Sequence, residues 1–158
     1  MKRPLFPTEP VDEEFFHRAP LLIADTFEIP RGAAEVWAEL TGENALSWCR
    51  MVRQVTWTSA RPFGVGTTRT VRTAGVLYER FFRWEEGRRK SFYVFGSSVP
   101  LFRHFAEDYL VEPSSETACR FTWTIAIEPR PLARPADGVS RLLLSTLFSD
   151  TRRHFAAR

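Results

Sequence analysis

Hydrophobic and polar positions change their spacing three times along this chain. Leu21–Ile29 is rich in strand-forming residues and predicts a strand that Pro30 ends. Gly32–Leu40 follows at helical spacing, with Val36, Trp37 and Leu40 on one face. Thr41-Gly42 interrupts it, and Asn44–Val52 predicts a second short helix. From residue 53 the period becomes two. Gln54–Ser59, Val65–Thr73, Val76–Trp84, Lys90–Ser97, Phe105–Glu112 and Thr117–Glu128 each predict a strand. Between them stand Pro62-Phe63-Gly64, Ala74-Gly75, Glu86-Gly87, Pro100 and Pro113-Ser114-Ser115. The third regime runs from Gly138 to the end, a long helix with an apolar stripe of Val139, Leu142, Leu143, Leu147 and Phe148, then Phe155.

Residues 1–20 fit none of these regimes. They hold four prolines and the acidic run Asp12-Glu13-Glu14, and predict an arm with at most one short helix around Val11–His17. The rest, 21–158, reads as a single domain of class α+β. Seven antiparallel strands twist too strongly to lie flat, and the last helix is the one element long enough to cover their inner face.

Pairing of the hairpins about their turns brings chemistry onto that face. A turn about Phe63 sets Trp57 beside Arg69, and a turn about Ala74 sets Arg69 opposite Glu79. A turn at Glu86-Gly87 sets Glu79 opposite Val94 and Phe81 opposite Phe92. Pairing across 97–104 sets Val94 beside Glu107 and Phe92 beside Tyr109. A turn near Ser115 then sets Glu107 beside Trp123 and Tyr109 beside Phe121. On the last strand Cys119, Phe121, Trp123, Ile125 and Ile127 are apolar, whereas Arg120, Thr122, Thr124 and Glu128 are polar, so the odd-numbered face points inward. Arg69, Glu79 and Glu107 go inward with it. Arg69 and Glu79 satisfy one another as a cross-strand pair. Glu107 buried alone is costly and tends to protonate, unless water, a hydroxyl such as that of Tyr109, or a polar ligand head relieves it. Two readings follow: these charges orient the polar end of an apolar ligand, or they are a structural ion pair beside a solvated carboxylate.

Composition narrows the field. Of 158 residues 44% are hydrophobic, and the 14 Phe call for either a bulky core or a cavity walled by rings. Net charge is only +3, with acids and bases interspersed, which argues against nucleic acid as a partner. The basic run Arg88-Arg89-Lys90 reads as a solvated turn, and Arg152-Arg153 as a helix end. Cys49 and Cys119 have no metal or C-x-x-C spacing, and three scattered histidines make no zinc site, so no metal and no cofactor is expected. No apolar run reaches the ~20 residues of a membrane span, and the default location is the reducing cytoplasm. Tyr78, Phe82, Trp84, Tyr93 and Phe95 fall on the outer face, a patch that suggests a homodimer or contact with the arm.

The order of elements, with Ile29-Pro30 before Val36-Trp37, then Trp57, Gly64-Val65-Gly66-Thr67-Thr68-Arg69, Glu79, Trp84, Glu107-Asp108-Tyr109 and Phe121–Ile127 before the final helix, resembles the helix-grip fold of the START and Bet v 1 superfamily. Within it, the chain most resembles the bacterial polyketide cyclase/dehydrase and lipid-transport branch, over residues 21–158. The resemblance implies a hydrophobic cavity between sheet and terminal helix. It implies no reaction, because that superfamily includes carriers, cyclases, hydratases and partner-binding domains. The ligand-binding candidates are Trp57, Arg69, Glu79, Phe81, Phe92, Glu107, Tyr109, Phe121 and Trp123 from the sheet, with Leu143 and Leu147 from the helix. The expected function is binding of a lipid- or polyketide-like molecule as carrier or sensor. The alternatives are a cyclase, aromatase or dehydratase using Glu79, Glu107, Tyr109 or the loop residue His104 as acid or base with Arg69 steadying an oxyanion, and a protein-interaction module.

Overall fold

The computed structural model describes residues 5–156, excepting the side chains of 134–137. After a two-residue strand β1 (Phe6–Pro7) and a short helix α1 (Phe15–Arg18) come β2 (Leu21–Ile29) and α2 (Ala33–Thr41). Six strands follow: β3 (Gln54–Trp57), β4 (Thr68–Arg72), β5 (Val76–Glu85), β6 (Arg89–Ser97), β7 (Phe102–Ser115) and β8 (Ala118–Pro129). A 3-10 turn (Pro131–Ala136) leads into α3 (Asp137–Ala156). The expected continuation of α3 to residue 158 lies outside the described residues. The antiparallel sheet runs β2-β8-β7-β6-β5-β4-β3, with α3 across its inner face, and is the expected helix grip.

Four expectations need correction. Asn44–Val52 is a succession of turns, closed by bonds from the Ala45, Ser47, Cys49 and Val52 amides to carbonyls three residues back. Leu46 there has φ of 61°, a left-handed conformation that a helix does not accommodate. Second, the sheet has eight strands, because the arm adds β1. β6 and β7 pair only from Arg89–Tyr93 with Ala106–Leu110. Beyond Tyr93 they splay, and the arm enters the gap: Phe6 pairs with Ser97 and Pro7 with Gly96, while the Thr8 and Glu9 amides donate to the Phe95 and Arg103 carbonyls.

Third, the turn between β7 and β8 lies later than Ser115, so Glu107 pairs with Ile125 and Tyr109 with Trp123. Likewise Phe92, not Val94, faces Glu107, and Lys90 faces Tyr109. Each displacement is two residues, which preserves the face, so Glu107 still points inward. The expected pairs Trp57–Arg69, Arg69–Glu79, Glu79–Val94 and Phe81–Phe92 all form. Fourth, a bulge between Phe81 and Arg83 turns Trp84 inward, where it packs on Trp37, Phe63 and Phe81.

Of the rest of the outer aromatic face, Phe82, Tyr93 and Phe95 pack with the arm, one of the two expected occupants. Phe15 is fully buried there with Val11, Tyr93, Ala106 and Ala126. Charge holds the arm down as well: Glu13 pairs with Arg83, and Glu9 with His104.

Candidate functional site

The space between sheet and α3 divides into a closed half and an open half. The closed half lies near α2. Inward positions there carry Trp57, Phe81, Phe92 and Tyr109, whose rings stack or meet edge to face at 5.1–5.7 Å. Phe121 bridges Tyr109 and Phe155 of α3. Rings of this size leave no room, and all but Trp57 are almost wholly buried.

Two cations lie in this closed half, one of them missed from sequence. Lys90, expected in a solvated turn, is fully buried with five rings within 5.3–5.7 Å of its nitrogen: Trp37, Trp57, Phe81, Trp84 and Tyr109. Its Nζ donates to the Leu40 carbonyl at 2.6 Å. Arg61 Nη2 donates to Thr41 and Trp57 Nε1 to Gly42, so three side chains satisfy the carbonyls that end α2. Burial, then the Arg69 charge, pushes Lys90 well below its ordinary acidity range. The signal available in sequence was parity: Lys90 shares the even-numbered, inward face of β6 with Phe92 and Val94.

Arg69 is sandwiched by Phe92 at 4.6 Å and by Trp57 and Phe81 at 5.2 Å. Its Nε donates to Glu79 Oε2 at 2.5 Å. Burial works against the guanidinium charge, but Glu79 and Tyr109 outweigh it and hold Arg69 above its ordinary value. Arg69 therefore stays charged. Burial raises Glu79, and the Arg69 charge opposes that rise.

At the other end the inward residues Val71, Leu77 and Ile127 are smaller than these rings. A cavity of about 440 Å³ remains. Its wall comes from β4, β5, β7 and β8, the turns of 46–52, and Val139, Ser140, Leu143, Leu144 and Leu147 of α3. At the mouth the β4–β5 turn presses on the β6–β7 loop. A Cβ at Gly75 would meet Ser98 Oγ at 3.0 Å and Val99 Cγ1 at 3.1 Å, which is why glycine stands there. Leu101, Val139 and Leu143 on the rim are 44%, 60% and 48% exposed. The first half of the helical stripe thus faces space and solvent, whereas Leu147, Phe148 and Phe155 are core.

The floor is polar. Glu79 and Glu107 both reach it, with Trp123 beside them. Glu107 Oε2 accepts from Trp123 Nε1 at 2.9 Å and from Tyr109 Oη at 3.2 Å. Burial, with the Glu79 charge second, pushes the Glu107 carboxyl up to about 8. Tyr109 is held well above its ordinary range by burial and then by Glu107. Cys49 lies between the turns and α3, and burial pushes its thiol up to about 12, too high for a nucleophile at neutral pH.

Of the eleven sequence candidates, Glu79, Glu107, Trp123, Leu143 and Leu147 line this cavity. Trp57, Arg69, Phe81, Phe92, Tyr109 and Phe121 pack beneath it or in the closed half. His104 is not in a loop. It lies on β7, which begins at Phe102, and by plain alternation shares the outer face with Ala106, against Phe15. Its Nδ1 meets Glu128 Oε2 at 2.6 Å and its Nε2 meets Glu9 Oε2 at 2.9 Å, so it clasps the arm and does not reach the cavity. Residues passed over in the sequence include Leu77, Phe105 and Ile127; all three share the inward parity already assigned to their strands. Among the described residues, no three His, Cys, Asp or Glu side chains gather as a metal site, and no helix is long and apolar enough to cross a membrane.

Comparison with known proteins agrees with this architecture. Residues 21–158 match the family described as polyketide cyclase / dehydrase and lipid transport, and the chain belongs to that family. An uncharacterized protein of Mycobacterium tuberculosis (strain ATCC 25618 / H37Rv) is 36% identical over 144 residues, covering 89% of this chain and 86% of its own length. Among solved structures, a START superfamily protein from Mycobacterium smegmatis superposes with a TM-score of 0.69 at 10% identity, over 85% of this chain and 97% of that one. Ginseng major latex-like protein 151 from Panax ginseng gives 0.61 at 16% identity over the same shares. At such identities the likeness is one of fold. The arm before residue 21 lies outside the family match.

Proposed function

We propose that the protein holds a largely apolar, lipid- or polyketide-like molecule in the cavity between its sheet and α3, as a carrier or sensor. The observation that carries this reading is the 440 Å³ aliphatic hollow with an exposed Leu/Val rim, beside a closed half where the same fold packs solid. The volume lies within the range of small-molecule sites, and apolar walls with a few convergent polar groups are their usual make-up. Cys49 and Cys119, both buried and unpaired, fit a reducing compartment such as the cytoplasm.

Nile red, an uncharged apolar dye, is a suitable probe. It is expected to bind and brighten, and Leu77→Trp, which fills the cavity from the β5 wall, to weaken it about tenfold without unfolding the protein. Unchanged dye affinity in a folded Leu77→Trp variant would reject the cavity as the site. Native mass spectrometry of the purified protein would identify any retained ligand directly.

A second reading has one observation in its favour. Glu79, paired with a guanidinium, and Glu107, inclined to keep its proton, open on the same space. Two carboxyls around one ligand, one paired with a cation and the other not, suit the proton shuttling of a cyclase or dehydratase. Deuterium uptake next to the carbonyl of a bound ketone in heavy water tests it, and no uptake by a bound ketone rejects it.

A further inference from the structure

The polar floor has a donor and acceptor pattern that the apolar walls do not explain. Glu107 Oε2 takes one hydrogen bond from an indole N–H and one from a phenol O–H. A Trp nitrogen can only donate, so Oε2 is an acceptor in that bond whatever the pH. Oε1 has no hydrogen-bond partner among the described residues, yet it is not one of the sealed-off atoms, and Glu107 lines the cavity. A neutral carboxyl that accepts in both bonds has Oε2 as the carbonyl oxygen with both lone pairs used, and Oε1 then carries the hydrogen into the hollow. The height of the Glu107 acidity constant, about 8, agrees with that assignment.

Glu79 presents the complement. Arg69 Nε binds its Oε2, and its Oε1 is left without a protein partner, also unsealed, on the same cavity. Burial raises Glu79, but the Arg69 cation bonded to its Oε2 favours the charged form, and the ion-pair geometry assigns Glu79 as the acceptor. The floor therefore shows a ligand one O–H donor and one anionic acceptor. The remaining polar groups around Glu107 are Arg69 on β4, Tyr109 on its own strand, Trp123 on β8 and the Cys49 thiol in the turns. From α3 the described lining adds no charge, only Ser140 among aliphatic residues.

We infer that the cavity selects an apolar ligand carrying an uncharged hydroxyl, which accepts from the O–H of Glu107 and donates to the carboxylate of Glu79. This rests on the cavity being the binding site and specifies what enters it. A hydroxyl uses both groups. A ketone or ether uses only the donor. A carboxylate meets the donor but sets its charge against Glu79 in a poorly hydrated space, where like charges repel strongly. A bare alkane leaves both groups unpaired.

The test is a series of equal chain length at pH 6.5, decan-1-ol, decanoate and decane, titrated against Nile red in the intact protein. Decanol is expected to displace the dye at a concentration about tenfold below decanoate and below decane. Glu107→Leu should bring decanol to within about threefold of decane. Glu107→Gln, which keeps a neutral donor and the same shape, should retain the preference. In the wild type the decanol advantage should fade as pH rises past about 8, the value that Glu107 is pushed to, and in Glu107→Gln it should not. Decanoate binding as tightly as decanol, or a preference that survives Glu107→Leu, would overturn the hydroxyl assignment while leaving the cavity in place. Failure of all three chains and of the dye to bind would remove the cavity reading and this inference together.

Discussion

Replacing Glu107 by glutamine should change how stability depends on pH. Native Glu107 keeps its proton up to about 8, against an ordinary carboxyl value of 4.5, because burial and then the Glu79 charge disfavour ionisation. Between those two values the unfolded chain has released this proton and the native protein has not. The native state binds more protons, so stability falls as pH rises through that window and levels off above about 8. At about 1.4 kcal/mol per pH unit the full fall is ~5 kcal/mol, a large part of what holds a domain of this size folded. Glutamine copies the neutral acid: its carbonyl can accept from Trp123 and Tyr109, and its amide faces the cavity. Subtracting the wild type from Glu107→Gln cancels most other titrations, including that of Lys90, whose lowered value acts with the opposite sign. Urea unfolding at pH 5, 7 and 9 without ligand reads the difference. The variant should match the wild type or fall slightly below it at pH 5, gain steadily to pH 8, and hold that lead at pH 9. A difference that stays constant over this range would show that native Glu107 is an ordinary ionised carboxylate, and the assigned floor would be wrong.

Two further outcomes follow from the packing. Arg69→Met should cost about 3–5 kcal/mol by leaving Glu79 buried without its partner, and Arg69→Met with Glu79→Leu should recover most of that loss in urea melts; no recovery would mean that Arg69 acts through its rings and not through Glu79. Phe15→Ala, which empties a fully buried site under the arm, should cost about 3–5 kcal/mol and make residues 5–18 cleavable by protease in the otherwise folded protein; an uncut arm would show that β1 and the His104 clasp hold it unaided.

Much of the sheet was legible because parity is robust. The β3–β4, β4–β5 and β5–β6 turns are marked by glycine or proline, and the pairs around Arg69 and Glu79 follow from them. The β7–β8 pairing was misplaced by two residues, yet Glu107 kept its face, since only odd slips reverse a side chain. Bulges break this logic. The one at Phe81/Arg83 carried Trp84 inward, and no residue pattern announced it. Lys90 illustrates a different limit. Charge suggested solvent, while position on the inward face said otherwise, and the free carbonyl of Leu40 that rewards its burial belongs to a helix 50 residues away. Nor does alternation report depth. Trp57 and Leu77 are both inward, but whether an inward side chain meets α3 or a void depends on the helix path, and that path is set by Phe148 and Phe155, which anchor one end of α3 and leave Val139 and Leu143 standing off.

The arm has a consequence for the order in which the molecule can be completed. Residues 6 and 7 leave the ribosome early, but the backbone they bind, Gly96 and Ser97, is made some ninety residues later. Until the arm docks, the splayed edges of β6 and β7 show unpaired amides and carbonyls, the kind of template on which other chains nucleate aggregates. The arm, made before the strands it joins, thus acts as the last piece fitted, a built-in seal. Fusions or tags placed ahead of the arm should be judged by whether they let it close.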